Sequence, residues 1–266
     1  MMSVKKEKVV ILCGGRGTRI REETEFKPKP MIEIGHKPIL WHIMKIYSSY
    51  GFTNFVLCVG YKGEMIKEYF LNYEILNSDF TIELGANSKN VHVHNSRHKE
   101  QWKVTLADTG HTAMTGARLK KIEPYIDADN FMMTYGDGIA RIDLNRLLEF
   151  HLSHKKVATI TGVRPSSRFG ELVTAGNRVT EFSEKPQIRE GYINGGFFVF
   201  NRKVFRYLSE DENCIFEREP LERLASDGEL MVFSLNDYWH CVDTLRDLEV
   251  LEQEWQGGSP PWKVWE

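Results

Sequence analysis

Apolar residues in this chain gather in short unbroken runs. Val9–Cys13, Phe55–Val59 and Phe131–Thr134 each place consecutive apolar side chains on both faces of an extended segment, the pattern of a strand buried on both sides. Between the first two, Ile39, Ile43, Ile46 and Tyr50 recur at helical spacing over Pro38–Tyr50, with Pro38 suited to the first turn and Gly51 to the stop. Strand, helix, strand in that order predicts a parallel sheet with right-handed crossovers. Further helices are expected over Gly63–Asn72 and Gly116–Ile122, and from an Asp143 cap to about Ser153. Then the order changes. Val157–Val163, Arg178–Glu184, Ile193–Phe200 and Leu230–Leu235 are strand-like, with helices near Glu219–Ala225 and Thr244–Trp255. Residues 73–101 are polar and lack a clear period, so they read as an irregular insertion. There is no internal repeat or Pro/Gly/Ser linker. The expected fold is α/β, with a mixed, mostly parallel central sheet flanked by helices in one domain spanning 1–266.

Composition narrows the function. With 266 residues, 41% of them hydrophobic, the chain can bury a full core, roughly 70–75% of its unfolded surface. Its 35 Lys+Arg against 37 Asp+Glu give a formal charge of -2, which supplies no global attraction to nucleic acid or an anionic membrane. Cys13, Cys58, Cys214 and Cys241 are widely spaced, and two lie inside apolar runs, so they read as thiols of a reducing cytoplasm. The apolar run after the basic start MMSVKKEK is too short for a signal-peptide core, and nothing later is long enough to span a membrane.

The strongest local feature follows the first strand: Leu12-Cys13-Gly14-Gly15-Arg16-Gly17-Thr18-Arg19, then Lys27-Pro28-Lys29-Pro30-Met31. Three glycines in four residues, at the carboxyl edge of a buried strand, let backbone N–H groups approach an anion closely. Arg16, Arg19, Lys27 and Lys29 add cationic company, and the prolines around Lys29 stiffen the chain holding it. A phosphate-bearing ligand fits this set better than a solvated cationic loop, which leaves the glycines unexplained. Two common phosphate loops fail on spacing. No Gly-Lys-Ser/Thr triplet exists, and a G-x-G-x-x-G pattern begun at Gly15 meets Ile20 at its third glycine.

G-G-x-G-T-R followed by K-P-K-P-M resembles the sugar-1-phosphate nucleotidyltransferases, most nearly their glucose-1-phosphate cytidylyltransferase branch. The resemblance runs nearly end to end, through VTLADTG, MTGARL, MTYGDGIARID, RFGELV, FSEKPQ, YINGGFFVF and the tail from Trp239 onward. Cys13 departs from it, standing where the family commonly has alanine. The resemblance implies a Rossmann-like nucleotidyltransferase fold, with a sugar-binding and oligomerisation part from about residue 157. It also implies cytidylyl transfer from CTP to α-D-glucose 1-phosphate, giving CDP-glucose and pyrophosphate with Mg²⁺. The assembly it implies is a homo-oligomer, with a hexamer as the candidate, and the pathway one that makes deoxysugars of surface polysaccharides. A uridylyl- or thymidylyltransferase, a relative acting on another sugar or polyol phosphate, and a non-catalytic nucleotide-sugar sensor are the competing readings.

The other motifs can be read beside it. Asp137, in Gly136-Asp137-Gly138, emerges just after an apolar run, as a carboxylate at the sheet's carboxyl edge would. Asp243 precedes a helix, so a helix cap and a metal ligand are both open; the resemblance favours Mg²⁺ for Asp137 and Asp243 together. It also gives Arg19 the departing pyrophosphate and Lys29 the α-phosphate region. Glu184-Lys185 could hold sugar hydroxyls and phosphate or be a surface ion-bearing turn; by resemblance Lys185 meets the sugar phosphate, Asn194 holds the sugar, and Arg168 and Gly170 lie near the hexose. By resemblance, base recognition falls to the loop and helix start around Thr112–Arg118, with Thr112, the backbone of Gly116 and Ala117, and Arg118 at the family positions; whatever residues serve, cytosine needs an acceptor facing N4 and donors facing N3 or O2.

His92, His94 and His98 sit in a polar stretch without Cys or carboxylate partners, and read as surface residues. His151 and His154 suit the negative end of a helix. The six tryptophans read as packing groups, and the aromatic tail Pro260–Trp265 is expected to dock on the body or on a neighbouring subunit.

Overall fold

The computed structural model describes residues 5–85, 89–94, 100–164, 171–183 and 191–265. Among these, seven strands form the central sheet: β1 (Val9–Leu12), β2 (Asn54–Val59), β3 (Lys103–Asp108), β4 (Asn130–Tyr135), β5 (Ala158–Val163), β6 (Ile193–Asn201) and β7 (Leu230–Leu235). Their order across the sheet is β7-β5-β6-β4-β1-β2-β3. β1 pairs in parallel with β2 and β4, β2 with β3, and β5 with β7; β6 runs against its neighbours β4 and β5. The expected mixed, mostly parallel sheet is present.

Two cores explain the unbroken apolar runs. Val9 and Ile11 face a cluster with Phe55, Leu57 and Met132, while Val10 and Leu12 face another with Val56, Cys58 and Met133. Each strand therefore needs apolar residues at both parities. Among the described residues, the α-helices longer than one turn are α1 (Ile39–Ser48), α2 (Gly63–Leu71), α3 (Thr115–Lys121), α4 (Leu144–His154), α5 (Glu219–Ser226) and α6 (Leu245–Gln256). α1 ends where Gly51 takes a positive φ of 88°. The Asp143 carboxylate caps α4 by accepting from the Asn145 and Arg146 amides.

Two expectations change, and one open alternative is resolved. Residues 73–101, read as irregular, contain a one-turn helix (Tyr73–Leu76) and a regular hairpin pairing Asp79–Leu84 with Lys89–His94. The cap of α6 is Thr244, whose hydroxyl accepts from the Asp247 amide while Asp247 reaches back to the Thr244 amide; this capping box leaves the Asp243 carboxylate for other work. His151 does not serve the helix dipole as a cation. It is buried, bonded to Thr159 Oγ1 and Asn130 Oδ1, and burial pulls its pKa down to about 4.

The tail docks on the body. Trp262 is 0% exposed, and with Trp255, Trp265 and Trp41 it surrounds the buried His42 of α1. His42 Nε2 lies 2.9 Å from the Ile34 carbonyl, which can only accept, so Nε2 carries the proton and Nδ1 faces the Trp262 indole N–H at 3.4 Å. Trp102 packs edge-on to Phe55, and Trp239 donates to the Gly195 carbonyl, as expected of packing groups.

Candidate active site

The carboxyl ends of β1 and β4 open onto a cavity of about 590 Å³. The whole loop from Leu12 to Arg19 lines it, as do Lys29, Thr112, Arg118, Gly136, Asp137 and Asp243. Local packing fixes each element. Lys29 begins a short 3-10 turn between the buried Pro28 and Pro30, and a Cβ on Gly136 would lie 2.8 Å from Pro30 Cγ, so the turn bearing Lys29 presses directly on the turn bearing Asp137. Gly17 holds φ +61°, and the buried Thr24 hydroxyl donates to its carbonyl.

The charges meet in one cluster. Lys29 Nζ lies 2.6 Å from Asp137 Oδ2 and 2.9 Å from Asp243 Oδ1, and Arg19 Nη1 lies 2.6 Å from Asp243 Oδ2. Burial alone would lower the Lys29 pKa; the Asp137 charge and hydrogen bonds to Asp137 and Asp243 outweigh it and raise it to about 12. Burial pushes the Asp243 carboxyl up, but Lys29 and Arg19 hold it below the usual carboxylate range. Two cations against two carboxylates leave this cluster neutral. Arg16, exposed on the same cavity, has no ion pair among the described residues, so it is the uncommitted cation. Lys27, expected in this group, instead pairs with Glu23 at 3.5 Å and does not line the cavity.

Asp137, Asp243 and Cys241 offer ligand atoms within 4.8 Å of one another. Burial, then Asp137, pushes the Cys241 thiol well above its ordinary pKa, so the hard donors here are the two carboxylates. A pair of half-buried carboxylates at a sheet edge fits a hard divalent ion that keeps several waters.

The glycines divide by cause. A Cβ on Gly14 would sit 2.2 Å from Arg118 Nη1, and one on Gly60 2.3 Å from the same atom. Arg118 is 4% exposed, and its guanidinium donates to the Gly14, Gly110 and Val59 carbonyls and the Thr109 hydroxyl. It pins the loop to the end of β2, and Gly14 exists to admit it. Around Gly15 a Cβ would meet nothing within 4 Å, so no protein contact demands glycine there; the open backbone faces the cavity. Only Gly15 matches the expectation of glycine as access for an anion.

The base-recognition residues also separate. Thr112 lines the cavity and donates to Glu212 Oε2 at 2.8 Å. Gly116 and Ala117 do not line it: both amides donate to the Cys214 carbonyl, which leaves their N–H groups with no free valence for a base. Asn194 lies off the cavity, its Nδ2 donating to the Tyr135 hydroxyl, and Tyr135 does line it. Arg168, Gly170, Glu184 and Lys185 lie outside the described residues, as does His98. Met114 and Thr115, which also line the cavity, fall within the expected segment Thr112–Arg118, while His111 and Tyr135 were missed. Tyr135 had a signal: it pairs in register with Leu12 at the end of β4, one residue before Gly136.

The chain matches known proteins along nearly its whole length. It is 49% identical over 260 residues to glucose-1-phosphate cytidylyltransferase of Salmonella typhimurium, covering 97% of this chain and 100% of the relative. A probable glucose-1-phosphate cytidylyltransferase of Bacillus subtilis is 46% identical, again over 97% and 100%. The crystal structure of HddC from Yersinia pseudotuberculosis superposes with a TM-score of 0.69 at 23% identity, over 94% of this chain and 99% of that one, and so shares the fold. With the nucleotidyl transferase family model matching residues 8–256, the chain belongs to that family.

Proposed function

We propose that the protein transfers a cytidylyl group from CTP to α-D-glucose 1-phosphate, giving CDP-glucose and pyrophosphate. The observation that carries this reading is the 49% identity, over 97% of the chain, to an enzyme named for that reaction. The site supports it chemically. An oxygen of the sugar phosphate attacks the α-phosphorus; the bond to the bridging oxygen of the leaving pyrophosphate breaks. The attacking oxygen is already ionised, so no protein base is required, and catalysis is positioning plus charge neutralisation.

Each residue then has a task. Gly15 lets the backbone approach the polyphosphate, Arg16 and Arg19 neutralise the departing pyrophosphate, and Lys29 serves the α-phosphate. Asp137 and Asp243 would hold a divalent ion, as enzymes of this family generally use one, and Mg²⁺ suits two carboxylates. Bound there, the ion would supply electrostatic stabilisation of phosphate oxygens. Thr112 faces the base, Asn194 holds the sugar through its side-chain amide, and Arg168, Gly170, Glu184 and Lys185 keep the sugar-phosphate tasks that the family pattern assigns. The enzyme works as a cytoplasmic homo-oligomer, which light scattering of the purified protein tests. No described helix is long and apolar enough to cross a membrane.

The decisive assay measures pyrophosphate release with four nucleoside triphosphates against a panel of sugar 1-phosphates. CTP with glucose 1-phosphate should be turned over fastest; preference for UTP or dTTP, or for another sugar phosphate, overturns the reading. Lys29→Ala and Asp137→Ala should each lower turnover by roughly 10³-fold in a folded protein. Near-normal turnover in either rejects its assignment.

A further inference from the structure

A strap of chain, Glu212–Glu217, lies across the base-side loop about a hundred residues earlier in sequence. Its Glu212 carbonyl accepts from the Met114 amide, its Cys214 carbonyl from the amides of Gly116 and Ala117, and its Phe216 amide donates to Thr115 Oγ1. All of these contacts hold one loop. Glu217 differs because it reaches two. Its Oε2 accepts from Thr115 Oγ1 at 2.6 Å, on the base side, and its Oε1 accepts from the Tyr135 hydroxyl at 2.6 Å. Tyr135 in turn accepts from Asn194 Nδ2 at 3.1 Å, and Asn194 Oδ1 is held by the Gly196 amide at 2.9 Å. The Asn194 amide is thus fixed in orientation, and so is the direction of the Tyr135 proton. Gly196, at φ +82°, is glycine because a Cβ would lie 2.7 Å from the Tyr135 ring. The chain Thr115–Glu217–Tyr135–Asn194 is a continuous set of hydrogen bonds between the loop beside Thr112 and the residue assigned to the sugar.

We propose that Glu217 is a positioning residue that ties the nucleotide subsite to the sugar-phosphate subsite. This rests on the nucleotidyl-transfer reading above. One carboxylate, with one oxygen for each side, sets the placement of Thr115 and of Tyr135 together. Removing it frees both donors, so both substrates lose alignment; removing one donor loosens only the side it serves.

The test is steady-state kinetics with both substrates varied. Glu217→Ala should raise KM for CTP and for glucose 1-phosphate, each roughly tenfold, the scale of a lost charge-assisted hydrogen bond. Tyr135→Phe should raise KM for the sugar phosphate alone and Thr115→Val that for CTP alone. Tyr135→Phe added to Glu217→Ala should cost little more. Glu217→Gln, which keeps an acceptor for Tyr135, should restore most of the sugar-phosphate KM. A Glu217→Ala variant with neither KM moved, or only one, or with only kcat lowered, overturns the proposal. Should that variant fail to fold, the one-sided pattern of Tyr135→Phe and Thr115→Val decides instead, and equal effects of either on both substrates refute it. Wild-type activity separates this from the parent reading. If the enzyme prefers another nucleotide or sugar phosphate, the split is measured with that pair; if no pair is turned over, both fall.

Discussion

Acid should destabilise this protein through one buried ring, His42, which is 0% exposed. Burial is the main cause that pulls its pKa from 6.5 to about 4; backbone hydrogen bonds at Ile34 and Lys37 oppose it, and the charges of Glu252 and Lys37 act in opposite directions. The folded state therefore takes up its proton later than the unfolded chain does. Stability from this group is complete above pH 6.5 and is lost as pH falls toward 4. At about 1.4 kcal/mol per pH unit, the full loss is about 3 kcal/mol, and at pH 4.5 about 2.5 kcal/mol is already gone. For a chain of this size that corresponds to a melting temperature lower by roughly 5–10 °C. His151 titrates in the same window, so the wild-type curve alone does not isolate His42. His42→Gln does, because glutamine can donate to Ile34 and accept from Trp262 without titrating. Thermal melts of both proteins at pH 7 and pH 4.5 are the assay. Wild type should lose roughly 5–10 °C more than His42→Gln across that interval; parallel losses would refute the reasoning.

Gly14→Ala should displace Arg118, costing about 1–3 kcal/mol in chemical denaturation and weakening CTP binding in calorimetry, because the new methyl meets the guanidinium. Trp262→Ala should cost about 3–5 kcal/mol and expose the α1 face, read as a lowered melting temperature and increased dye binding. Treatment with EDTA should abolish pyrophosphate release while leaving the melting temperature within a few degrees, since Lys29 bridges Asp137 and Asp243 and offsets their charge.

The sheet was legible because burial on both faces writes itself as unbroken apolar runs, and Val9–Leu12 lies within one residue of its expected bounds. Asp137 was legible for a related reason, since it sits where a turn leaves the sheet's carboxyl edge, whereas Lys29 was legible only through the motif Lys27-Pro28-Lys29-Pro30-Met31, well beyond the end of β1. Asp243 was ambiguous because Asp243 and Thr244 are both good caps, and only the Thr244–Asp247 exchange of hydrogen bonds separates them. Glu217 left no trace. It is an exposed carboxylate among other acids, and its partners Thr115 and Tyr135 lie 102 and 82 residues away, so no periodicity carries it. The roles expected of Gly116 and Ala117 depended on which carbonyl their amides would meet, and Cys214 comes nearly a hundred residues later. Long-range polar closure, unlike apolar burial, has no local spelling.

Gly14, Gly60 and Arg118 come from three separate stretches of the chain, yet they occupy one volume. For protein engineering they are a single hereditary unit: a change at any one asks for a matching change at the others, and a library that varies them independently will mostly sample broken loops. Altering base preference is better begun at Thr112 and His111, whose side chains border the same cavity without carrying the loop's backbone.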